Sequence, residues 1–412
     1  MVEIADTVAI GRASIKDAAG RYAPMAAASP DTCAFAPLAA IAASQWRALA
    51  GRALEPNGYY LPDWELAVNA SARGRTDVSA LCAWSEASSA QDGPARLIGI
   101  LPVIPMARAL RIPLPALVSA DPYGALCTPL LDRDTAEVAV AALMQGARRA
   151  GAHALILRDV PIDGAAMGAF TEVLRQGGMR PRVLQSHLRA CLDATCDADR
   201  LLHEGLGAKK LKELRRQRKR LAEHGAVRFG VARTREAVTP AVETFLELEA
   251  SGWKARRGTA LMQDRGDAAF IRRATPALAE AGSCEIVTLH AGDTPVAAAI
   301  VLRHRDRAFY FKLGVDQRFA KFSPGVQLTL DLTQHLCADP AIALADSTAD
   351  ADHPMINPIW RGRLAIGDVL IPLRRGDPMV PLIHAATGLR RLIREPARRA
   401  AHFIRKRREK SS

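Results

Sequence analysis

Apolar and polar positions follow two different periods along the chain, and this mixture predicts an α/β fold of the α+β kind. Apolar residues at helical spacing predict helices over residues 37–49, 135–150, 165–176, 201–224, 240–250, 267–281 and 326–337. Short apolar or alternating runs predict strands over residues 78–84, 96–104, 153–158, 182–192, 227–232, 285–290, 296–302, 307–313 and 341–345. A meander, a helix and a strand follow one another in both halves, so the order of elements favours a duplicated unit, although the halves share no direct sequence repeat.

The composition is that of a soluble globular protein long enough for two domains. The chain has 412 residues, of which 49% are hydrophobic. The longest aliphatic run near its middle, residues 296–302, is far shorter than the ~20 residues of a membrane-spanning helix. The first residues lack an apolar signal core, and the seven cysteines include no Cys-x-x-Cys pair. We therefore expect a cytoplasmic protein with reduced thiols and no metal site.

Positive charge is concentrated in two windows of the sequence. The whole chain has a net charge of +13, whereas residues 209–220 contribute +7 and residues 390–410 contribute +8. The remainder is therefore slightly acidic. Charge concentrated in this way indicates an anionic partner more than general solubility.

The segment from Phe309 to Gly325 carries the strongest functional signal in the chain. An apolar strand ends near Asp316, a short basic loop follows, and Ser323-Pro324-Gly325 then opens a helix. Ser323 is a suitable N-cap residue, and proline fits the first helical position because its missing N–H is not needed there. Gly325 leaves the next amides uncovered, so a phosphate can approach the positive end of the helix. The alternative is ordinary helix initiation, since capping alone explains these residue types.

Motifs in both halves accompany this segment. They are the basic helix 211–221, Gly252-Trp253-Lys254 with Gly258-Thr259, Tyr310-Phe311-Lys312, Asp316, Ser323-Pro324-Gly325, Ala351-Asp352-His353-Pro354-Met355-Ile356 leading to Trp360, and, more loosely, Tyr59-x-x-Pro62-x-Trp64. Together they resemble the GNAT-related acetyltransferase family of the CelD type, found with cellulose and other exopolysaccharide biosynthesis proteins. The family is also similar to the Fem-type transferases, which pair two GNAT-like units.

The resemblance implies a tandem fold in which each unit is a mixed, twisted sheet flanked by helices. It divides the chain into a disordered leader (1–30), a degenerate N-terminal GNAT-like domain (31–197), a C-terminal GNAT-like acyltransferase domain (198–376) and a basic amphipathic tail (377–412). The implied enzyme moves an acyl group, expected to be acetyl, from acyl-CoA to a sugar, glycan precursor or small amine in polysaccharide biosynthesis. Two alternatives stay open: an aminoacyl-tRNA-dependent Fem-like transferase, and a non-catalytic accessory protein that docks at a membrane-bound polysaccharide synthase.

The resemblance also implies a cofactor site for acetyl-CoA or another acyl-CoA. The residues implied are Arg318, Ser323, Gly325, Val326 and Gln327. The ordinary GNAT phosphate loop has two closely spaced glycines, whereas this chain offers Arg318 and the single Gly325. Fewer open amides indicate either a different carrier, such as aminoacyl-tRNA, or a weakened cofactor site.

Candidate residues for acceptor binding and proton transfer lie around the same loop. Those implied for substrate binding are Trp253, Lys254, Thr259, Tyr310, Lys312, Asp316 and Asp352. Asp346 and His353 follow the strand 341–345, at the end where open α/β sheets bind ligands. Transfer to an amine requires a proton acceptor, so these two are the candidate acid–base or orienting residues. No Ser/His/Asp triad is visible, which disfavours a covalent mechanism.

Several of these candidates also have a purely structural interpretation. Trp253 can fill an interface between domains, and Lys254 can belong to a solvated basic turn. Lys312 can extend its ammonium group from the end of an apolar strand to solvent. Asp352 can cap its own loop through a hydrogen bond to the backbone.

The two basic windows also have alternative interpretations. Residues 209–220 form either a solvated helix face or a contact for CoA phosphates, tRNA or an anionic glycan. Because no aromatic residues are interleaved there, we expect no sequence-specific recognition of nucleic acid. Residues 389–412 resemble a basic amphipathic helix, which either contacts an anionic membrane or synthase at the inner membrane or forms a disordered tail.

Overall fold

A computed structural model describes residues 33–85, 95–251 and 260–393. The predicted leader and residues 394–412 of the predicted tail lie outside this part of the chain. The strands are β1 (Cys33–Pro37), β2 (Ser79–Trp84), β3 (Leu97–Pro105), β4 (Ala116–Ser119), β5 (Leu130–Leu131), β6 (Ala154–Pro161), β7 (Arg182–Asp193), β8 (Val227–Ala232), β9 (Cys284–Ala291), β10 (Thr294–His304), β11 (Arg307–Val315), β12 (Leu344–Asp346) and β13 (Gly362–Pro372). The helices are α1 (Ala43–Gly51), α2 (Pro62–Ser71), α3 (Met106–Leu110), α4 (Ala136–Arg149), α5 (Ala165–Gln176), α6 (Ala198–Leu221), α7 (Arg235–Ala250), α8 (Arg265–Glu280), α9 (Pro324–Cys337) and α10 (residues 379–393).

The described strands form one mixed sheet whose order mirrors itself about its centre. From edge to edge the strands run β1-β2-β3-β4-β6-β13-β7-β12-β11-β10-β9-β8, with β5 paired to β3. The pairs β4–β6 and β11–β12 are parallel, and the other pairs in the described chain are antiparallel. Each half therefore contains an antiparallel meander, one parallel pair and one long central strand. The predicted fold class, two mixed α/β units in tandem, is confirmed.

The two units exchange their long strands at the centre of the sheet. β13 comes near the end of the described chain, just before α10, yet it lies between β6 and β7 of the first unit. Its register with β7 runs from Gly362 opposite Cys191 to Leu370 opposite Arg182. β7 in turn pairs with the short β12 of the second unit. The predicted boundary at residues 197/198 falls in the turn between β7 and α6, and the predicted domain limits stay predictions.

The basic helix α6 differs from its prediction in one respect. A continuous helix is expected over residues 201–224, but Gly207 interrupts it with φ 73° and ψ 160°. Glycine adopts this backbone conformation without the steric cost that other residues bear. Leu202, Leu214 and Leu221 are buried on one side of α6. The exposed side carries Lys209, Lys210, Lys212, Arg215, Arg216, Lys219 and Arg220.

Two further observations concern the described residues as a whole. None of their helices combines the length and the apolar character that crossing a bilayer requires. Their His, Cys, Asp and Glu side chains form no group of three or more placed to hold a metal ion.

Candidate functional site

The two parallel strand pairs separate in the same way at their carboxyl ends. In each pair the backbone register extends over three residue pairs and then stops. A side-chain hydroxyl makes the next contact in both cases. Ser119 Oγ accepts a hydrogen bond from the Arg158 N–H at 2.9 Å, and Thr348 Oγ1 donates to the Tyr310 carbonyl at 2.7 Å. Strands that separate at their carboxyl ends leave the kind of crevice in which open α/β sheets bind ligands.

A cavity of about 590 Å³ lies where these two separations meet, and we call it the seam cavity. Both units line it, because the long strands β7 and β13 bring their side chains to the same place. Representative lining residues are Tyr123 after β4, Arg158 on β6, Arg189 on β7, Lys312 on β11, Thr348 after β12 and Asp368 on β13. The seam cavity is therefore a polar site assembled from distant parts of the chain.

A buried ion pair stands at the wall of the seam cavity. Arg189 and Asp346 have side chains that are each 2% exposed, and Arg189 Nη1 lies 3.3 Å from Asp346 Oδ2. Arg189 Nη1 also donates to the Ala125 carbonyl at 2.6 Å, and Asp346 Oδ1 accepts from the Thr348 N–H at 2.8 Å. Asp346, predicted as a catalytic residue, is thus held behind Arg189 and does not itself line the cavity.

Two buried groups beside the cavity have hydrogen-bonding capacity left over. The Tyr59 hydroxyl lies next to the Thr348 side chain, yet it makes no hydrogen bond of good geometry within the described residues. Burial raises the pKa of Tyr59, so the hydroxyl keeps its proton. Arg189 Nε likewise has no partner among the described residues. Buried donors are rarely left unsatisfied, which suggests that a ligand oxygen completes this site.

Lys312 is held at the cavity by aromatic rings. Its Nζ lies 5.2 Å from the centre of the Tyr123 ring, and the Arg75 guanidinium carbon lies 4.2 Å from the same ring. The Tyr123 hydroxyl donates to Asp267 Oδ2 at 2.6 Å, which fixes the ring in place. The pairing of β10 with β11 shifts in register between Tyr310 and Lys312, which places the two side chains in different surroundings. Tyr310 is buried in the core, where its hydroxyl lies 3.1 Å from Thr329 Oγ1, so it does not face the cavity.

Two neighbouring carboxylates provide proton acceptors at the cavity. Asp368 Oδ1 accepts from the Asp159 N–H at 3.0 Å, and Asp368 Oδ2 accepts from Gln185 Nε2 at 2.7 Å. Burial raises the pKa of Asp368, and the nearby charge of Asp159 raises it further. A carboxyl group whose pKa is shifted toward neutrality is better suited to proton transfer than an ordinary one. His187 lines the same cavity and is a third candidate.

The raised pKa of Asp368 predicts a pH dependence of stability. In the folded protein this carboxyl loses its proton at a higher pH than in the unfolded chain. Between those two pH values the folded state binds more protons, so the free energy of unfolding falls as pH rises. Asp368→Asn removes this titration, and we expect the stability of the variant relative to wild type to increase from acidic to neutral pH. Urea unfolding at several pH values measures it, and a difference that stays constant with pH contradicts the assignment.

The predicted phosphate site at the start of α9 is packed differently from the expectation. Ser323 occupies the N-cap position as predicted, but it has φ 53° and its side chain makes no capping hydrogen bond. A Cβ on Gly325 would lie 2.8 Å from Leu313 Cδ2, which means that this glycine allows α9 to approach β11 closely. Gln327 is buried and donates to the Leu214 carbonyl at 2.9 Å, whereas Val326 is half-buried.

Asp316 and Arg318 form a paired unit just before α9. Arg318 Nη2 lies 2.7 Å from Asp316 Oδ2, and the Arg318 N–H donates to Asp316 Oδ1 at 2.9 Å. Burial raises the pKa of Asp316, but the hydrogen bonds from Arg318 outweigh it and bring the pKa below its ordinary value. Arg318 also lines a second groove of about 280 Å³ together with His224, Phe319 and Lys321. This basic, aromatic groove is a candidate contact for the phosphates of a carrier.

The remaining predicted residues lie apart from the seam cavity or outside the described chain. His353 is half-buried, its Nδ1 accepts from the Ile356 N–H at 3.4 Å, and burial lowers its pKa. Asp352 is exposed, and neither residue lines the cavity, although Asp350 does. Trp253, Lys254 and Thr259 fall outside the described residues.

Comparison with known proteins agrees with this architecture. Residues 208–352 match the family model of the acetyltransferase (GNAT) domain. This part of the chain is therefore similar to GNAT-type acetyltransferase domains. It extends from within α6 to the loop after β12, and so it contains β11 and β12, whose separation opens the seam cavity. No curated protein matches the chain in sequence.

Solved structures resemble the chain well beyond the GNAT domain. FemX covers 84% of this chain and 98% of its own at 13% identity, with a TM-score of 0.52, which shows a shared fold. A domain assigned provisionally to a lysylphosphatidylglycerol synthetase of Agrobacterium fabrum covers 84% and 95% at 13% identity, with a TM-score of 0.49. A tandem GNAT protein from the clavulanic acid pathway covers 84% and 100% at 16% identity, with a TM-score of 0.37. The narrower resemblance to the CelD type stays a prediction.

The first unit and β13 supply site residues that the sequence analysis missed. Arg189, His187 and Gln185 alternate along the predicted strand 182–192, and this alternation of polar side chains was a usable signal. Arg158 and Asp368 lie in runs without such a signal. The pairing of β6 with β13 brings both residues to the seam cavity.

Proposed function

We propose that the chain is an acyltransferase that moves an acyl group, acetyl in the first instance, from acyl-CoA to an amine or hydroxyl. The proposed acceptor is a sugar, glycan precursor or small amine that takes part in polysaccharide biosynthesis. The observation that carries the proposal is the seam cavity, which opens where β11 and β12 of the GNAT domain separate and which has buried donors and carboxylates in its walls.

The residues before and within the first turn of α9 fit a carrier that bears phosphates. The first amide bonded within this helix is that of Gln327, so the amides of Gly325 and Val326 precede the helical hydrogen-bond pattern. Arg318 and Lys321 add positive charge next to this helix end. When bound, acyl-CoA supplies an acyl group activated as a thioester.

The residues at the seam cavity then have distinct proposed roles. Asp368, helped by Asp159 or His187, accepts a proton from the attacking amine or hydroxyl. Tyr59 and Arg189 offer hydrogen-bond donors to an oxygen that gains negative charge, and such donors are most effective away from water. Lys312 and Tyr123 position an acceptor between the two units.

Calorimetric titration with acetyl-CoA tests the choice of donor. Lys321 is exposed on the groove before α9, and we expect Lys321→Ala to weaken binding about fivefold, the effect of an exposed ion pair worth roughly 1 kcal/mol. The matched control is Arg235→Ala. Arg235 follows β8 and pairs with Glu280, whereas His224 of the groove precedes β8. Failure of the intact protein to bind acetyl-CoA removes the CoA-dependent version of the proposal.

An aminoacyl-tRNA donor is the second candidate, and the exposed face of α6 favours it. Seven basic side chains lie on that face, and α6 packs against the segment that carries Arg318 and Lys321. RNA that copurifies with the protein, with binding that falls steeply as salt rises, supports this donor. Absence of transfer with either donor leaves the accessory role as the remaining alternative.

A further inference from the structure

The helix α10 carries a row of apolar side chains that face solvent. Leu382, Leu389, Leu392 and Ile393 are 50%, 60%, 69% and 64% exposed. Their spacing places them along one side of the helix. On the other side, Val380 and Ile383 are buried in a cluster with Ile156 of β6 and Leu370 of β13. Several large exposed apolar residues on one helix indicate an interaction surface, whereas single apolar residues scattered over a protein surface do not.

Arginines lie at both ends of this apolar row. A groove of about 620 Å³ at the start of α10 is lined by Arg180, Arg182, Arg374 and Arg375. Asp377 is the acidic residue among those that line the groove, and its Oδ2 already lies 2.7 Å from His153 Nδ1. Arg390 and Arg391 lie at the other end, and Arg391 donates to the Leu184 carbonyl of β7. The surface therefore combines apolar side chains with an excess of positive charge.

We infer that α10 docks on the surface of an anionic membrane. The apolar row would enter the boundary between headgroups and acyl chains, and the arginines would contact lipid phosphates. The chain's own residues 394–412 are a poor cover for this surface, since they contain eight basic and two acidic residues and would meet the arginines with like charge. A second copy of the chain would bring the same arginines against one another. An anionic lipid surface can accommodate both the apolar row of α10 and the arginines at its two ends.

Docking at α10 places the membrane next to the proposed active site. A further cavity of about 350 Å³ is lined by His384, Thr387 and Gly388 of α10. It shares Arg158, Gln185 and Asp368 with the seam cavity. An acceptor presented at the membrane surface can therefore reach the seam cavity from the side of α10. This last step rests on the proposed function, whereas the docking itself does not.

Sedimentation of the full chain with vesicles tests the inference. We expect binding to vesicles of phosphatidylcholine mixed with phosphatidylglycerol, little binding to phosphatidylcholine alone, and weaker binding at high salt. Leu389→Glu combined with Leu392→Glu should reduce binding about tenfold or more, because two apolar side chains no longer enter the membrane. Leu188→Glu is the matched control, since Leu188 is 56% exposed on β7, and it should bind like wild type.

Three results would overturn the inference. The first is binding by the double variant that equals wild type, which leaves the apolar row without a role. The second is equal binding to both kinds of vesicle, which removes the requirement for anionic lipid. The third is absence of binding by wild type together with a concentration-dependent dimer that the double variant lacks, which identifies a second copy as the partner. Binding of acetyl-CoA is measured separately by calorimetric titration, so failure of the enzyme proposal is distinguishable from failure of membrane docking.

Discussion

Arg189→Met is expected to lower the free energy of unfolding by about 3–5 kcal/mol and to abolish acyl transfer. The Arg189 guanidinium pairs with Asp346, and both side chains are 2% exposed, so the substitution leaves a buried carboxylate without its counter-ion. The same side chain donates to the Ala125 carbonyl and lines the seam cavity. Urea unfolding gives the loss of stability, and an assay with the donor identified by calorimetry gives the loss of transfer.

A double variant separates the structural role of this pair from its role in the cavity. Arg189→Met combined with Asp346→Leu replaces the ion pair by apolar side chains, and such replacements are often neutral or stabilising. We expect the double variant to recover most of the lost stability but none of the activity. Recovery of both would show that Arg189 serves the fold alone.

Gly124→Ala is expected to destabilise the protein by about 1–3 kcal/mol and to distort the seam cavity. A Cβ at this position would lie 2.3 Å from Tyr59 Cδ1, which is closer than two non-bonded carbon atoms can approach, so one of them would have to move. The Tyr59 ring is buried between Trp64, Phe309 and Phe311, with ring centres 5.7, 5.8 and 6.1 Å away, so it has little room to move. Near-ultraviolet circular dichroism should report the disturbed ring cluster, and urea unfolding the loss of stability.

Gly168→Ala is the control for this substitution. Gly168 lies within α5, and a Cβ there would meet no atom within 4 Å. Alanine is favoured over glycine inside helices, so we expect this variant to gain roughly 0.5–1 kcal/mol of stability. If both alanine variants behave alike, close packing at Gly124 is not the cause of the effect.

Local patterns predicted the elements whose burial is decided locally. α5 and β8 have the predicted bounds because their apolar residues follow a clear period, as with Phe170 and Leu174 of α5. β13 was not predicted, although it lies at the centre of the sheet. Its sequence contains Gly362, Gly367 and Asp368, which are typical of loops, and its neighbours β6 and β7 come from the other unit. No local pattern reports such distant partners.

The residues of the candidate site also divide into those that a local pattern predicts and those that it does not. Lys312 and the loop after Asp346 could be found from the GNAT-like half, and both lie at the seam cavity or directly behind it. Arg158 and Tyr123 could not be found from the sequence, because only the tertiary fold brings the carboxyl ends of β4 and β6 to the seam cavity. Gly325 illustrates a further limit, since a glycine in the first turn of a helix serves close packing as readily as ligand binding.

The exchanged central strands impose an order on folding during synthesis. β7 ends at Asp193, but β13, which fills the gap between β6 and β7, begins roughly 170 residues later. At 5–20 residues per second, the ribosome requires on the order of 10–30 s to deliver it. For that time the first unit has an unpaired β6 edge, which is open to pairing with other chains. We therefore expect the nascent first unit to be prone to association with other chains until β13 has been synthesised.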